Sequence, residues 1–325
     1  MPLKKLLAAL FGSVLALAGP IDASAQDAWP SRSIKIIVPF PASGSSDPPV
    51  RALAAKLQEA LGQTVVIENL SGGGGSLATA RLAQSPADGY TYAMASLGTL
   101  GIVPHLYAKP GYDPIRSFSP ISLLGEFTNV LVVGADQPYK TVADLIKAAR
   151  ENPGTINFGS AGNGSSTHLS AELLASMAGV KFTHVPYRGT GPAMTDLLAG
   201  RLGFMFDVTN NSLPHIQSGK LRALAVTGPS GVRQLAGVPP IAQTYPGYEV
   251  LGWIGLIAPA GTPPAVVERM SAEVDKALKL PDLVAQYAGY GFDAKTLKPD
   301  QFAALIKKDF DKWGPIVRAS GAKVD

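Results

Sequence analysis

The chain has 325 residues, 46% of them hydrophobic and 16% charged, with a formal net charge of +4 and no cysteine. That length and apolar content suffice for two domains, each with its own core, and exclude an intrinsically disordered chain. The missing cysteines exclude disulfides, thiolate metal sites, cysteine nucleophiles and a lipid-modified cysteine anchor.

Lys4 and Lys5 precede the apolar stretch Leu6–Gly19, and Ala23-Ser24-Ala25 fits the small-x-small cleavage rule. Residues 1–25 therefore read as a signal peptide, with a mature chain that starts at Gln26 and is soluble in the periplasm. The stretch falls short of the ~20 apolar residues that a membrane span needs.

Beyond it, apolar β-runs alternate with helical periodicity, which predicts an α/β fold with largely parallel sheets. Strand Ile34–Phe40, helix Val50–Leu61 and strand Val65–Asn69 come first, then the loop Ser71–Ser76, a short helix to Ala83 and a strand near Tyr90–Ala95. The β-runs Pro120–Gly125 and Asn129–Gly134 have no strong turn signal between them, so one strand is expected to cross from one lobe to another. Thr141 caps a helix running to Arg150, with Asp144 completing a variant capping box. Strand Ile156–Gly159, a loop through Thr167, helix His168–Met177 and strand Lys181–Pro186 follow. Helix Pro192–Leu198 and strands Leu202–Asp207 and Leu221–Thr227 complete this part. Gly247–Pro259 reads as a second crossing, and helices Pro264–Leu278, Pro281–Ala288 and Asp300–Arg318 end the chain. The expected result is two lobes, 26–127 with 248–325 and 128–247, around a cleft that closes on two hinges.

Two strand–loop–helix junctions carry the chemistry. Such a junction aims bare N–H groups and hydroxyls at one spot, beside the positive end of a helix dipole, and so suits an anion. The first runs from Phe40 through Ala42, Ser43, Gly44 and Ser46 to the helix after it. Pro48 and Pro49 have no N–H to offer, so helical geometry is expected only from about Pro49, and residues 42–47 must supply the donors. Asp47 reads as a helix cap or a loop brace, because a carboxylate aimed at an anion would repel it. The second junction, Ser160-Ala161-Gly162-Asn163-Gly164-Ser165-Ser166-Thr167, is the richer donor set. Ser96, just past the third strand, is placed in the same site. Asp207 ends a strand on the side where open α/β sheets bind ligands, either touching a ligand amine or hydroxyl or bracing a loop.

Other chemistries find little support. The glycine run Gly72–Gly75 lacks the lysine of a phosphate loop and reads as a turn at the cleft rim. There is no G-x-S-x-G elbow. The histidines (His105, His168, His184, His215) show no ligand spacing, so no metal and no cofactor are expected. His168, in the first turn of its helix, reads as packing or capping, and Trp253 and Trp313 as core or hinge packing. Without a run of basic residues or aromatic-basic interleaving, nucleic acid is not an expected partner.

The chain resembles the periplasmic receptors of tripartite tricarboxylate transporters, also called Bug-type or TctC-like proteins. The resemblance rests on Val38-Pro39-Phe40-Pro41-Ala42, Val66-Ile67-Glu68-Asn69, Asp88-Gly89-Tyr90-Thr91 and Tyr112-Asp113-Pro114 in the first part of the chain. Asn157-Phe158-Gly159-Ser160-Ala161-Gly162, Val185-Pro186-Tyr187-Arg188-Gly189, Gly219–Thr227 and Pro259-Ala260-Gly261-Thr262-Pro263 extend it over essentially the whole mature chain. It implies a two-lobed, type II periplasmic-binding-protein fold whose two loops hold a small carboxylate, partly through water. It also implies delivery to membrane subunits of a transporter by a protein expected to be a monomer and not an enzyme. Two departures stand out. Ser43 replaces a glycine of the family's Ala-Gly-Gly-Ser-x-Asp pattern, and Pro48-Pro49 follow the aspartate, so dicarboxylates, aromatic acids and acidic amino acids all stay open as ligands. Two other readings stay beside transport: a ligand-sensing subunit of a signalling system, and an exported α/β hydrolase.

Overall fold

The computed structural model describes residues 29–42 and 44–320. The signal-peptide reading and Ser43 lie outside the described residues.

The first lobe opens with β1 (Ile34–Val38), α1 (Asp47–Leu61), β2 (Val65–Asn69), α2 (Ser76–Ala83) and β3 (Thr91–Ser96). β1 runs parallel to both β2 and β3, so the loops after all three strands emerge at one edge. A π-helical segment, Leu97–Ile102, continues into the short α3 (Val103–Leu106). Neither was anticipated, because the glycine-punctuated Leu97-Gly98-Thr99-Leu100-Gly101 run reads as loop.

β4 (Phe118–Gly134) is a single unbroken strand. The second lobe then contains α4 (Val142–Glu151), β5 (Asn157–Ser160), α5 (Ser166–Ala178), β6 (Thr183–Pro186) and α6 (Thr190–Leu198). It continues with β7 (Phe204–Val208), α7 (Thr209–Gln217) and β8 (Leu221–Val226). β9 (Leu251–Pro259), α8 (Pro264–Ala277), α9 (Pro281–Tyr290), β10 (Asp293–Ala294) and α10 (Pro299–Ser320) complete the fold. The strands follow the order β2-β1-β3-β9-β4-β7-β5-β6, with β8 and β10 also paired to β4.

β4 is the joint. Up to Thr128 it pairs antiparallel with β9, Thr128 facing Leu251. From Asn129 it pairs with β7, Asn129 facing Val208. The return crossing lies beside it, where Val250 N–H donates to Thr227 O (3.0 Å) just before β9 begins. The absence of a turn signal between the two β-runs thus has a simple physical meaning: one strand serves two sheets.

The capping box at α4 is present, with Asp144 N–H donating to Thr141 Oγ1 (3.1 Å) and Thr141 N–H to Asp144 Oδ2 (2.9 Å). α1 departs from expectation. It begins at Asp47, not near Pro49, because the prolines fall in the first turn, where an N–H has no intrahelical acceptor anyway. α7 was also missed, since Asn210, Asn211 and the internal Pro214 are poor helix formers. The lobes are not packed independently. One buried cluster joins Ile37 and Ala93 of the first sheet to Leu131 and Phe158 of the second through Leu169 and Leu173 of α5 and Phe302, Ile306 and Trp313 of α10.

Candidate ligand-binding cleft

The loops after the parallel strands of both lobes meet at one edge, which is where open α/β sheets bind ligands. In the first lobe a compact brace shapes the loop. Asn69, at the end of β2, donates through Nδ2 to Phe40 O (3.0 Å) and to Asp47 Oδ1 (2.8 Å). Arg51 donates to Asp47 Oδ2 (2.7 Å) and to Asn69 Oδ1 (2.7 Å). Asp47 is 3% exposed, so of its two readings the structure favours the loop brace. Gly44 N–H turns back onto Pro41 O (3.1 Å) and Asp47 N–H onto Gly44 O (3.0 Å), so neither is an idle donor. Ser46 occupies the N-cap of α1 without a side-chain cap bond, and Ala42 is exposed on the loop.

In the second lobe much of the donor set is spent on the loop itself. Ala161 N–H donates to Thr167 Oγ1 (2.9 Å), Gly162 N–H to Ser160 Oγ (3.0 Å), Gly164 N–H to His168 Nδ1 (3.2 Å) and Ser165 N–H to Gly162 O (3.2 Å). Ser165 Oγ donates to Gly162 O (2.7 Å) and caps α5 by accepting from His168 N–H (3.2 Å). What stays open at the start of α5 is the first-turn N–H of Ser166 and of Thr167, which have no acceptor among the described residues. The Ser166 hydroxyl accepts from Asn129 Nδ2 (3.2 Å), leaving its own proton to give. The sequence therefore located the loop, while only the hydrogen-bond count separates its structural hydroxyls from its available ones.

The two lobes touch beside this spot. A Cβ on Gly74 would stand 2.8 Å from Asn163 O, and one on Gly98 would stand 3.1 Å from Gly164 O. The glycine run thus rims the cleft, as anticipated, and the small side of each loop is what lets the backbones approach. Ser96 is turned inward in a capping box with Thr99, whose N–H donates to Ser96 Oγ (3.2 Å), and so shapes the π-helical segment that the second loop rests on. Asp207 is fully buried, and its carboxylate accepts from Ser212 Oγ (3.0 Å) and from Asn211 Nδ2 (3.4 Å) on α7. Burial pushes it up to about 7. Of its two readings, these bonds favour the brace.

Neither loop carries a lysine or arginine, so what these two loops themselves offer an anion is neutral dipoles and hydroxyls. The family model for the tripartite tricarboxylate transporter family receptor (TctC) matches residues 50–322. The chain belongs to this family. The TctC receptors, which include the Bug proteins, are solute-binding transport receptors of the periplasm and not enzymes. Among its relatives, BugT of Bordetella pertussis (strain Tohama I) is 34% identical over 320 residues, covering 98% of each chain. The structure of R. palustris Rpa4515 with adipate superimposes with a TM-score of 0.84 at 34% identity, covering 91% of this chain and 100% of that one. MatC (Rpa3494) from Rhodopseudomonas palustris with bound malate gives 0.80 at 32% identity, covering 89% and 99%.

The geometry of this TctC receptor agrees with a binding role even where it looks catalytic. Ser160 Oγ lies 2.6 Å from His184 Nε2, a serine–histidine pair that sequence reasoning did not assemble. Their strands are neighbours, with Ser160 opposite Pro186 and Phe158 opposite His184. Ser160 is fully buried, and burial together with the adjacent His168 pushes His184 down to about 3. Such a weak base cannot take a serine proton at neutral pH. His184 instead packs against both Phe158 (4.8 Å) and His168 (3.9 Å), which are themselves 6.2 Å apart, in a ring cluster beside the second loop. His168 accepts from the Gly164 N–H, in keeping with the capping reading.

Proposed function

We propose that this receptor captures a small carboxylate between the loop 40–47 and the start of α5 and delivers it to the membrane subunits of a tripartite transporter. The observation that carries this reading is the pair of unengaged N–H groups at Ser166 and Thr167. They stand with the Ser166 hydroxyl on the positive end of α5, between two donor loops, 40–47 and 160–167, that carry no lysine or arginine. A carboxylate satisfies such donors, whereas a cation or a neutral apolar ligand does not. Rpa4515 and MatC were captured with adipate and malate, which supports a dicarboxylate as the ligand class. Phe40, Ala42 and Ser46 form the opposing side, with residues 26–127 and 248–325 as one lobe and 128–247 as the other. The signal peptide, export as a soluble protein and action as a monomer belong to the same reading. Among the described residues no helix is long and apolar enough to cross a membrane.

A thermal-shift screen of residues 26–325 against mono-, di- and tricarboxylates and aromatic acids tests it. A ligand at 100 times its Kd should add about 2.7 kcal/mol of stability. A flat response to every carboxylate, with the protein folded, would sink the proposal.

A further inference from the structure

The loop between β6 and α6 ends at the same cleft edge as the second donor loop, and it carries Arg188. It is pinned to its neighbour: Tyr187 N–H donates to Ser160 O (3.2 Å) and Gly189 N–H to Ala161 O (3.2 Å). A Cβ on Gly162 would stand 3.1 Å from Tyr187 O, so the two backbones run in contact. The Arg188 backbone is thereby fixed beside the loop that leads into α5, while the residue is exposed.

Its guanidinium has no hydrogen bond or ion pair with any described residue. Three other arginines of the second lobe are spent on the fold. Arg150 donates to Ala178 O (3.0 Å), Arg201 to Asp196 Oδ1 (2.8 Å), and Arg222 to the carbonyls of Ala135, Gln137 and Tyr139. Asp196, on the helix that follows Arg188, accepts from Arg201 and from the Tyr187 hydroxyl (2.7 Å), and so does not answer Arg188.

The surroundings make this one charge count. Loops 39–46, 70–75 and 97–104 of the first lobe and 160–167 and 208–211 of the second hold no Asp, Glu, Lys or Arg. Asp47 and Arg51, next to the first of them, offset each other at 2.7 Å. Asp207 is fully buried and held by α7. Uncharged cleft walls focus the field of a charge at their rim and raise the local concentration of counter-ions. An exposed guanidinium gains little from a fixed pair, since both groups keep their water, but its field needs no fixed pair.

We infer that Arg188 is an electrostatic guide that draws anions toward the start of α5 in proportion to their charge, without pairing with them. The inference rests on the carboxylate reading above and adds to it the residue that grades ligands by charge.

Isothermal titration of residues 26–325 with succinate, malate and adipate at neutral pH tests it. Wild type is compared with Arg188→Lys, Arg188→Gln and Arg188→Glu in about 0.01 M and about 1 M salt, where charges act over roughly 30 Å and 3 Å. A unit charge acting through water over roughly 10 Å changes the affinity for a dianion about fourfold. At low salt Arg188→Gln should therefore bind about fourfold and Arg188→Glu about sixteenfold more weakly than wild type. Arg188→Lys should stay within about twofold of wild type, because a guide needs the charge and not the planar fork. At high salt all four proteins should agree within about twofold, and their melting should match throughout, since no bond is removed. Equal affinities at low salt would overturn the inference and leave the carboxylate reading standing. A loss in Arg188→Gln that persists at high salt and is not restored by lysine would also overturn it, making Arg188 a direct partner of the bound acid. No binding of these acids to the wild type would overturn it too, and the wider thermal screen then decides the carboxylate reading separately.

Discussion

At the level of single residues, one buried and one half-buried ionisable group give the fold opposite responses to pH. Asp207 is pushed up to about 7 by burial, from an ordinary 3.8, so the folded protein keeps a proton that the unfolded chain releases. Its contribution to stability falls as pH rises from about 4 to about 7. His184 is pushed down to about 3 from 6.5, by burial and then by His168, so the unfolded chain takes up a proton that the folded protein refuses. Its contribution falls as pH drops from about 6.5 to about 3. Each slope is at most about 1.4 kcal/mol per pH unit, and between pH 4 and 6.5 they offset one another. Relative to wild type, Asp207→Asn should therefore gain stability as pH rises through that window, and His184→Gln should lose it. Urea melts at four pH values read the difference, and variants parallel to wild type would contradict the assignment. The sequence offered Asp207 as a candidate of undecided role and gave His184 none, because burial and a partner on another element decide a role. The carboxylate of Asp207 meets Ser212, and the imidazole of His184 meets Ser160, through folding alone. Asn129 was passed over for the same reason, although a lone asparagine heading the apolar run Val130–Val133 was a signal that could have been taken up.

At the level of elements, the second loop divides its serines between structure and ligand. Ser165 caps α5, so Ser165→Ala should cost about 1 kcal/mol of stability. Ser166 accepts from the buried Asn129 amide at the open end of the helix, so Ser166→Ala should cost about 1–3 kcal/mol by leaving that donor unpaired and, unlike Ser165→Ala, weaken ligand binding severalfold. Thermal melts beside calorimetric titrations separate the two. Equal behaviour of the variants would undo the division, which sequence composition alone could not make, since it counts both hydroxyls as donors. Gly164 tests the seam between the lobes. Its φ is +78°, and a Cβ there would stand 2.9 Å from both Leu106 Cδ1 and Val103 Cγ2. Gly164→Ala should cost more than about 1 kcal/mol and should lower affinity by holding the loop off the first lobe. Local signals such as the Thr141–Asp144 box were legible because both partners lie within one helical turn. The π-helical segment and α7 were not, since packing from distant elements holds them against weak local propensity.

At the level of the whole molecule, β4 and the Val250–Leu251 return make two adjacent crossings; the first could be read from two β-runs without a turn between them and the second from the long run Gly247–Pro259. The bracing by α10 could not be read, because it arises from contacts between residues far apart in sequence. Trp253 Nε1 donates to Asp309 Oδ2 (2.6 Å), and Tyr248, just before the return crossing, donates to Ser170 O (2.9 Å). With one core running through α5 and α10, opening should pivot about the crossings without separating the lobes. Small-angle scattering should show a smaller radius of gyration at saturation with a tight carboxylate than without it. An unchanged radius would point to a preformed rigid pocket. The central claim is that neutral backbone dipoles at the start of α5, not fixed cations, receive the carboxylate. A crystal structure of residues 26–325 with the tightest acid from the thermal screen tests it most directly. The account predicts carboxylate oxygens 2.7–3.2 Å from the backbone nitrogens of Ser166 and Thr167. A carboxylate bound elsewhere, or paired to a lysine or arginine, would contradict it.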